Sequence, residues 1–218
     1  MYKRQFLNTL IIVVVAVPCV TAFSLWVSSA IYKMHSIPRS FFRCVFYLPV
    51  VTGSVAITVV WKWILNPYNG ILNQVAGTTG FDWLGTQSTA LWFIILILFT
   101  TSIGQPIVLY VAALGNVDQS LIEAAQVDGA TKLQVFWKIK WPQIMPTTLY
   151  VLVITTINSF QCFALIQLLT KGGPLNSTMT IMYQVYDTAY RLNDLGYACA
   201  IGVVLAIICL LYTSDAAD

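Results

Sequence analysis

Five long apolar runs constrain this 218-residue chain more than any motif it carries: residues 7–32, 41–65, 89–113, 147–169 and 197–210. A helix needs roughly 20 apolar residues to cross the hydrocarbon core of a bilayer, and the first four runs have that length. The runs are continuous rather than alternating, which excludes the short two-faced strands of a membrane barrel. Hydrophobic residues make up 58% of the chain and charged residues only 9%, too little charge to cover the surface of a soluble domain. Lipid offers no partner to backbone N–H and C=O groups, and a helix satisfies them within itself. The expected fold is therefore all-α, a polytopic transmembrane helical bundle with five spans visible.

The loops orient these spans. Residues 33–43 carry Lys33, Arg39 and Arg43 with no acid, whereas residues 66–88 carry no basic residue at all. Basic loops stay on the cytoplasmic side, so the first loop is internal and the second external. By alternation the segment 117–146, with Lys132, Lys138 and Lys140, is internal, and residues 170–196 are external. Lys62 between Trp61 and Trp63 suits an interfacial aromatic belt with a snorkelling lysine. A first span that begins outside implies at least one earlier span, hence six or more in the intact protein. The two ends read as foreign: Met1–Gln5 and Cys209–Asp218 match translations of the two orientations of one sequencing-library transposase adapter. The expected native stretch is residues 6–208, and residues 1–5 and 209–218 are left out of fold reasoning.

Net charge is only +3, and the basic residues lie mostly in loops, so lipid headgroups and not nucleic acid are the expected anionic partner. Cys19, Cys44, Cys162, Cys199 and Cys209 lack metal-ligand spacing and read as small packing residues.

Residues 117–146 form the one long polar segment between apolar runs that also carries helix signals. Asp118 and Ser120 are N-cap candidates, and Ser120 with Glu123 has capping-box spacing. Gly129 falls where a left-handed C-cap residue is expected. Thr131 can then cap a second helix over residues 132–141, which Pro142 stops. Ala124, Ala125, Gly129 and Ala130 are small enough to let another surface approach the backbone, while Leu121, Ile122, Leu133, Val135 and Phe136 supply apolar anchors. Two readings stand: a docking element for another protein, or an amphipathic helix pair lying on the membrane.

The spans are punctuated by Pro18, by Pro49 and Gly53, and by Gly104-Gln105-Pro106. Pro106 is expected to kink or open its helix, either beside a transport pathway or simply for packing. Asn158-Ser159-Phe160-Gln161 places amides and an aromatic ring near mid-depth of the fourth span. Such amides need partners, either a passage for a neutral hydroxylated solute or another helix. The acids Asp82, Asp118, Glu123, Asp128, Asp187 and Asp194 all fall in loops or at their boundaries, which disfavours proton or sodium coupling through a membrane carboxylate. His35 sits alone in the first internal loop as a solvated residue, with no partner pattern for metal binding or nucleophilic catalysis. No phosphate-binding glycine loop with lysine occurs, so the chain is expected to hydrolyse nothing by itself. The less favoured classes are a membrane-embedded enzyme or secondary transporter, which the missing membrane acid, histidine or metal cluster counts against, and a non-transporting assembly partner whose loop docks a cytosolic protein.

Glu123-Ala124-Ala125, Asp128-Gly129-Ala130, Pro142 and Pro146 resemble the EAA loop of the permease subunits of binding-protein-dependent ABC importers. Phe41-Phe42-Arg43 through Leu48-Pro49-Val50-Val51, Val60-Trp61-Lys62-Trp63 with Asn66-Pro67, Ser159-Phe160-Gln161, and Leu169 to Pro174 narrow the resemblance to carbohydrate permeases similar to those for maltose and glycerol phosphate. Gln105-Pro106, Lys171 and Cys162-Phe163-Ala164 depart from that pattern. The resemblance implies the type I importer permease fold in a bacterial inner membrane. It also implies a second homologous permease, two ATP-binding cassette subunits and an extracytoplasmic solute-binding protein as partners. The chain itself then holds no cofactor, ATP and magnesium being used by the ATPase. Glu123, Ala124, Ala125, Asp128, Gly129, Ala130, Pro142 and Pro146 would contact that ATPase, while Asn158, Ser159, Phe160, Gln161 and Gln105 would line the solute path for a sugar or polyol.

Overall fold

The computed structural model describes residues 2–78 and 80–215, with side chains for residues 3–78 and 80–211. Among them only helices, turns and connecting segments occur, with no strand. Helix α1, Tyr2–Tyr32, runs 31 residues without a break. Pro18 lies inside it, and a membrane helix tolerates proline where side chains engage nearby carbonyls; the Thr21 hydroxyl donates to the Val17 carbonyl at 2.8 Å. Helix α1 packs against α5 (Ala90–Ser102), α6 (Gly104–Gly115), α9 (Trp141–Phe160) and α11 (Ile181–Tyr186).

Three runs differ from the straight spans that the sequence suggests. Residues 41–65 are two helices, α2 (Ser36–Thr52) and α3 (Ser54–Ile64), bent by 98°. The hinge is Gly53, whose φ of +83° is open to glycine at little cost. In the third run α5 and α6 meet at 41°, and the break falls at Ile103, before Pro106 rather than at it. Pro106 occupies the first turn of α6, where its missing N–H would have no helical partner in any case. Gly104 is the tight point: a Cβ there would lie 2.4 Å from the Phe46 carbonyl oxygen of α2, so only glycine admits this approach. In the fourth run α9 ends at Phe160 rather than continuing to 169. The chain turns at Gln161 and Cys162, and the short α10 (Ala164–Leu169) packs on α3. The last run is α12, Leu195–Asp215.

The first and fourth runs are long and apolar enough to cross a membrane, as are the two bent pairs if each is one span, and α12 contributes a shorter apolar stretch, Leu195–Leu211. The five regions thus coincide with the five runs. Of the residues suspected of being foreign, 2–5 lie in α1 and 209–215 in α12, while 1 and 216–218 lie outside the described residues.

Side-chain contacts sort the loops into two ends. At one, Asn8 Nδ2 donates to the Met179 carbonyl at 3.0 Å, Lys62 Nζ to the Leu168 carbonyl at 3.4 Å, and Asp82, Pro67, Thr170 and Pro174 line one cavity. That end gathers residues 66–88 and 170–180. The opposite end gathers the α1–α2 loop and residues 117–140. Loop charge gives the same pairing, with the second end cytoplasmic.

Candidate functional site

The segment 117–146 folds as the strongest local signals dictate. Helix α7, Gln119–Val127, starts at Asp118, whose Oδ1 accepts from the Ser120 N–H at 2.9 Å and from its hydroxyl at 2.8 Å. Those two bonds hold the Asp118 carboxyl below its ordinary range, the hydroxyl bond acting most. Ser120 is consequently inside the helix, and its expected capping box with Glu123 is not formed; Asp118 took the cap because it stands one turn position earlier with a stronger acceptor.

The C-terminus of α7 is a Schellman motif. Gly129, at φ +79°, donates to the Gln126 carbonyl at 3.1 Å, and Ala130 donates to the Ala125 carbonyl at 2.9 Å. Thr131 follows at once as the N-cap of α8, Lys132–Val135. A reciprocal capping box closes it: Thr131 N–H donates to Gln134 Oε1 at 2.8 Å and Gln134 N–H to Thr131 Oγ1 at 3.4 Å. Gly129 and Thr131 stand where the sequence places them, while the Gln134 half of the box was overlooked.

Pro142 does not stop the second helix. Helix α8 passes through a π-helical turn, Phe136–Lys140, directly into α9, and the Trp141 N–H bonds the Phe136 carbonyl five residues back. The physical reason lies in register. A proline ring clashes with the carbonyl four residues before it, and a widened turn just ahead shifts that carbonyl away. The three pieces have 4, 5 and 20 residues, roughly 43 Å at ~1.5 Å per residue, against about 30 Å of hydrocarbon. Residues 132–140 therefore project beyond the bilayer as the rigid end of a span.

The pair has two faces. Ile122, Val135 and Ile144 are buried with Leu114 and Val117, and Ala125 and Ala130 pack against that cluster. Outward, Glu123, Ala124, Asp128, Gly129, Pro142 and Pro146 are exposed, together with Val127 at 88% and Leu133 at 72%. Val127 and Leu133 thus leave aliphatic surface open on the same side as the small residues.

Tyr32, at the last residue of α1, ties this pair to the bundle. Lys140 Nζ lies 5.2 Å and the Arg39 guanidinium 5.6 Å from the centre of its ring. Arg39 also donates to the Tyr32 carbonyl at 2.8 Å, and Gln119 Nε2 donates to its hydroxyl at 3.1 Å. Burial, and then repulsion from Lys33, lowers the Lys140 ammonium from its ordinary range. None of these contacts has a local sequence signature, since Gln119 lies 87 residues from Tyr32.

The second group of residues divides. Gln105 and Asn158 line one narrow crevice between α6 and α9, with Ser102 and Thr155. Ser159 instead donates its hydroxyl to the Thr155 carbonyl at 2.8 Å, and Phe160 is buried with Val13, Val17 and Leu205. Gln161 is exposed at the C-cap of α9.

The sequence profile described as "Binding-protein-dependent transport system inner membrane component" matches residues 2–216. The chain is 36% identical over 175 residues to the "Probable ABC transporter permease protein YurN" of Bacillus subtilis, covering 78% of this chain and 60% of that protein. It is 32% identical over 219 residues to "Probable ABC transporter permease protein YesP" of the same organism, covering 97% and 70%. It is 31% identical over 172 residues to the "Multiple sugar-binding transport system permease protein MsmF" of Streptococcus mutans, covering 78% and 59%. The chain thus spans 60% of the YurN length. A chain of the bacterial alginate ABC transporter, crystallised with an alginate pentasaccharide-bound periplasmic protein, superposes with a TM-score of 0.84 at 24% identity, over 99% of this chain and 76% of that one. At that identity the match speaks to fold.

Proposed function

Because the chain belongs to the family of binding-protein-dependent transport system inner membrane components, we propose that it is the membrane-spanning permease subunit of an ATP-driven importer for a sugar or related polyol. It pairs with a second homologous permease. Two ATP-binding cassette subunits, which bind ATP and magnesium and hydrolyse the nucleotide, engage it from the cytoplasm, and an extracytoplasmic solute-binding protein delivers the solute. The observation that carries this reading is the α7–α8 pair: an outward surface of small and exposed apolar residues on a segment fixed at both caps and continuous with α9.

In this reading Glu123, Ala124, Asp128 and Gly129 form the exposed contact with the ATPase, Ala125 and Ala130 pack half-buried behind them and set how closely it approaches, and Pro142 and Pro146 lie on the exposed side of the α8–α9 helical run. Closure of the ATPase dimer pushes α7. Since α8, the π turn and α9 are one helix, the push becomes a tilt of α9 and, through Tyr32, of α1, moving the permease pair between inward-open and outward-open states. Gln105 and Asn158 bring two amides to one crevice of about 10 Å³, too small for a sugar as it stands, so solute contact in this reading requires α6 and α9 to part as the permease changes state. The names of relatives such as MsmF, a multiple sugar-binding transport system permease, support the solute class.

Site-directed cross-linking tests the docking. With the chain in membranes beside its partner subunits, a cysteine replacing Val127 should cross-link to the ATPase, whereas one replacing Tyr68 at the opposite end should not. Equal cross-linking at both positions, or none at Val127, removes the assignment.

A further inference from the structure

Between the end of α1 and the α7–α8 pair lies a cavity of about 700 Å³. Its charged lining is all of one sign: Lys33, Lys132 and Lys140 reach it, beside Ser29, Tyr32 and Phe136. The carboxylates nearest in sequence, Asp118, Glu123 and Asp128, do not line it. The ion pair found among the described residues, Arg191 with Asp187, is elsewhere. Three ammonium groups around one half-enclosed space repel one another, and such an arrangement persists at least cost when an anion occupies it. The cavity also sits where α1 leaves the bilayer on the basic, cytoplasmic side, the depth at which phosphate groups are most concentrated. Its volume exceeds what a chloride or a carboxylate fills, and its aliphatic and aromatic walls suit the neighbouring part of a larger molecule.

We propose that this cavity binds a phosphate-bearing anion, whose phosphate contacts Lys33, Lys132 and Lys140. Two sources share that chemistry, the headgroup of an anionic phospholipid and a soluble phosphate ester. The site borders the proposed docking surface, since Gly129, Ala130 and Leu133 also line it, whereas Val127 and Glu123 do not.

The test uses the full chain purified with its partner subunits from membranes. Native mass spectrometry after exchange into phosphatidylcholine vesicles with or without phosphatidylglycerol reads the lipid source. Equilibrium dialysis against labelled inorganic phosphate reads the soluble one. Loss of two lysines should weaken binding roughly 30-fold, the effect of two cations near an anionic group. The Lys33→Gln/Lys132→Gln pair should lose the bound probe as the Lys33→Gln/Lys140→Gln pair does, although the first leaves the Lys140–Tyr32 contact untouched. Lys62→Gln, at the opposite end, should bind as wild type. A retained phosphatidylglycerol lost in both double variants identifies a lipid site, and saturable phosphate binding lost in both identifies a soluble ligand. Binding of neither probe by wild type, undiminished binding by either double variant, or equal loss in Lys62→Gln overturns the site.

Discussion

Replacing Gly129 separates docking from local strain. Gly129 sits at φ +79°, and a Cβ built on it meets nothing within 4 Å. A side chain there therefore clashes with nothing in this chain, and its internal cost is conformational. A left-handed L-residue pays roughly 1–2 kcal/mol, more when β-branched and less for asparagine, which bonds locally in that conformation. At about 1.4 kcal/mol per factor of ten, Gly129→Val shifts the turn's own equilibrium by about one order of magnitude or somewhat more, and Gly129→Asn by less. Strain alone thus ranks valine well below asparagine. Occlusion of an approaching ATPase ranks them together, because the two side chains have similar bulk at a bare backbone. The expected result is that both variants insert, with the turn loosened more in the valine variant than in the asparagine one, and that both lose ATP-driven uptake in proteoliposomes containing the complete complex. Normal uptake by Gly129→Val refutes the docking assignment; recovery of uptake in Gly129→Asn alone shows that the turn's shape, and not the surface, is what matters.

Other residues give independent checks. Gly104→Ala would set a Cβ 2.4 Å from the Phe46 carbonyl oxygen and 2.9 Å from Val50 Cγ2, and is expected to destabilise the bundle by about 1–3 kcal/mol as an overpacked contact, read as a lowered midpoint of thermal unfolding in detergent. Thr131→Ala removes one side of the capping box and should cost about 1 kcal/mol of local helix stability, visible as faster hydrogen exchange at the Gln134 amide; unchanged exchange would deny that the box holds the turn. Tyr32→Phe keeps its ring under Lys140 and Arg39 and should transport nearly normally, whereas Tyr32→Ala should leave solute-stimulated ATP hydrolysis while reducing uptake; equal loss in both would place the effect on the Gln119 hydrogen bond. Gln105→Ala and Asn158→Ala should each impair uptake with ATP hydrolysis partly retained, and together should cost less than the sum of the two, because they line one crevice.

The span positions, the sharing of an end by alternate loops and the turn at Gly129 are legible because each has a local physical cause: run length, the alternation of successive spans and the φ freedom of glycine. The breaks were only half legible. Gly53 and Gly104 were marked as punctuation, yet nothing local fixes a bend of 98° at one and 41° at the other. The second depends on how closely Phe46 of α2 approaches, a contact between residues far apart in the chain. The amide cluster shows the same boundary. Asn158, Ser159, Phe160 and Gln161 were grouped because they are adjacent, but a helix sends neighbours about 100° apart, so Asn158 reaches the crevice with Gln105 while Ser159 and Phe160 turn into the core.

Pro142 is the residue where reading the chain locally failed, and the failure bears on mechanism. A proline that ended the helix would have left the segment 117–141 as a separate pair on a flexible joint, able to absorb a push without passing it on. The π turn of Phe136–Lys140 removes that joint. It accommodates the proline while the backbone stays helical from Lys132 to Phe160, with only the N–H groups of Pro142 and Pro146 missing from the ladder. The remaining freedom is the turn at residues 128–131, which the Schellman bonds and the Thr131–Gln134 box close from both sides. Ile122 and Val135 then clamp the two helices onto Ile144 of α9 in a shared apolar cluster. In the proposed reading a force on α7 has two exits, α9 through the clamped α8 and the helix that continues it, and α1 through Tyr32, and α1 packs in turn on α5, α6 and α11. A merely membrane-lying helix pair gains nothing from being fused to a span and pinned to the central helix, whereas a lever requires both.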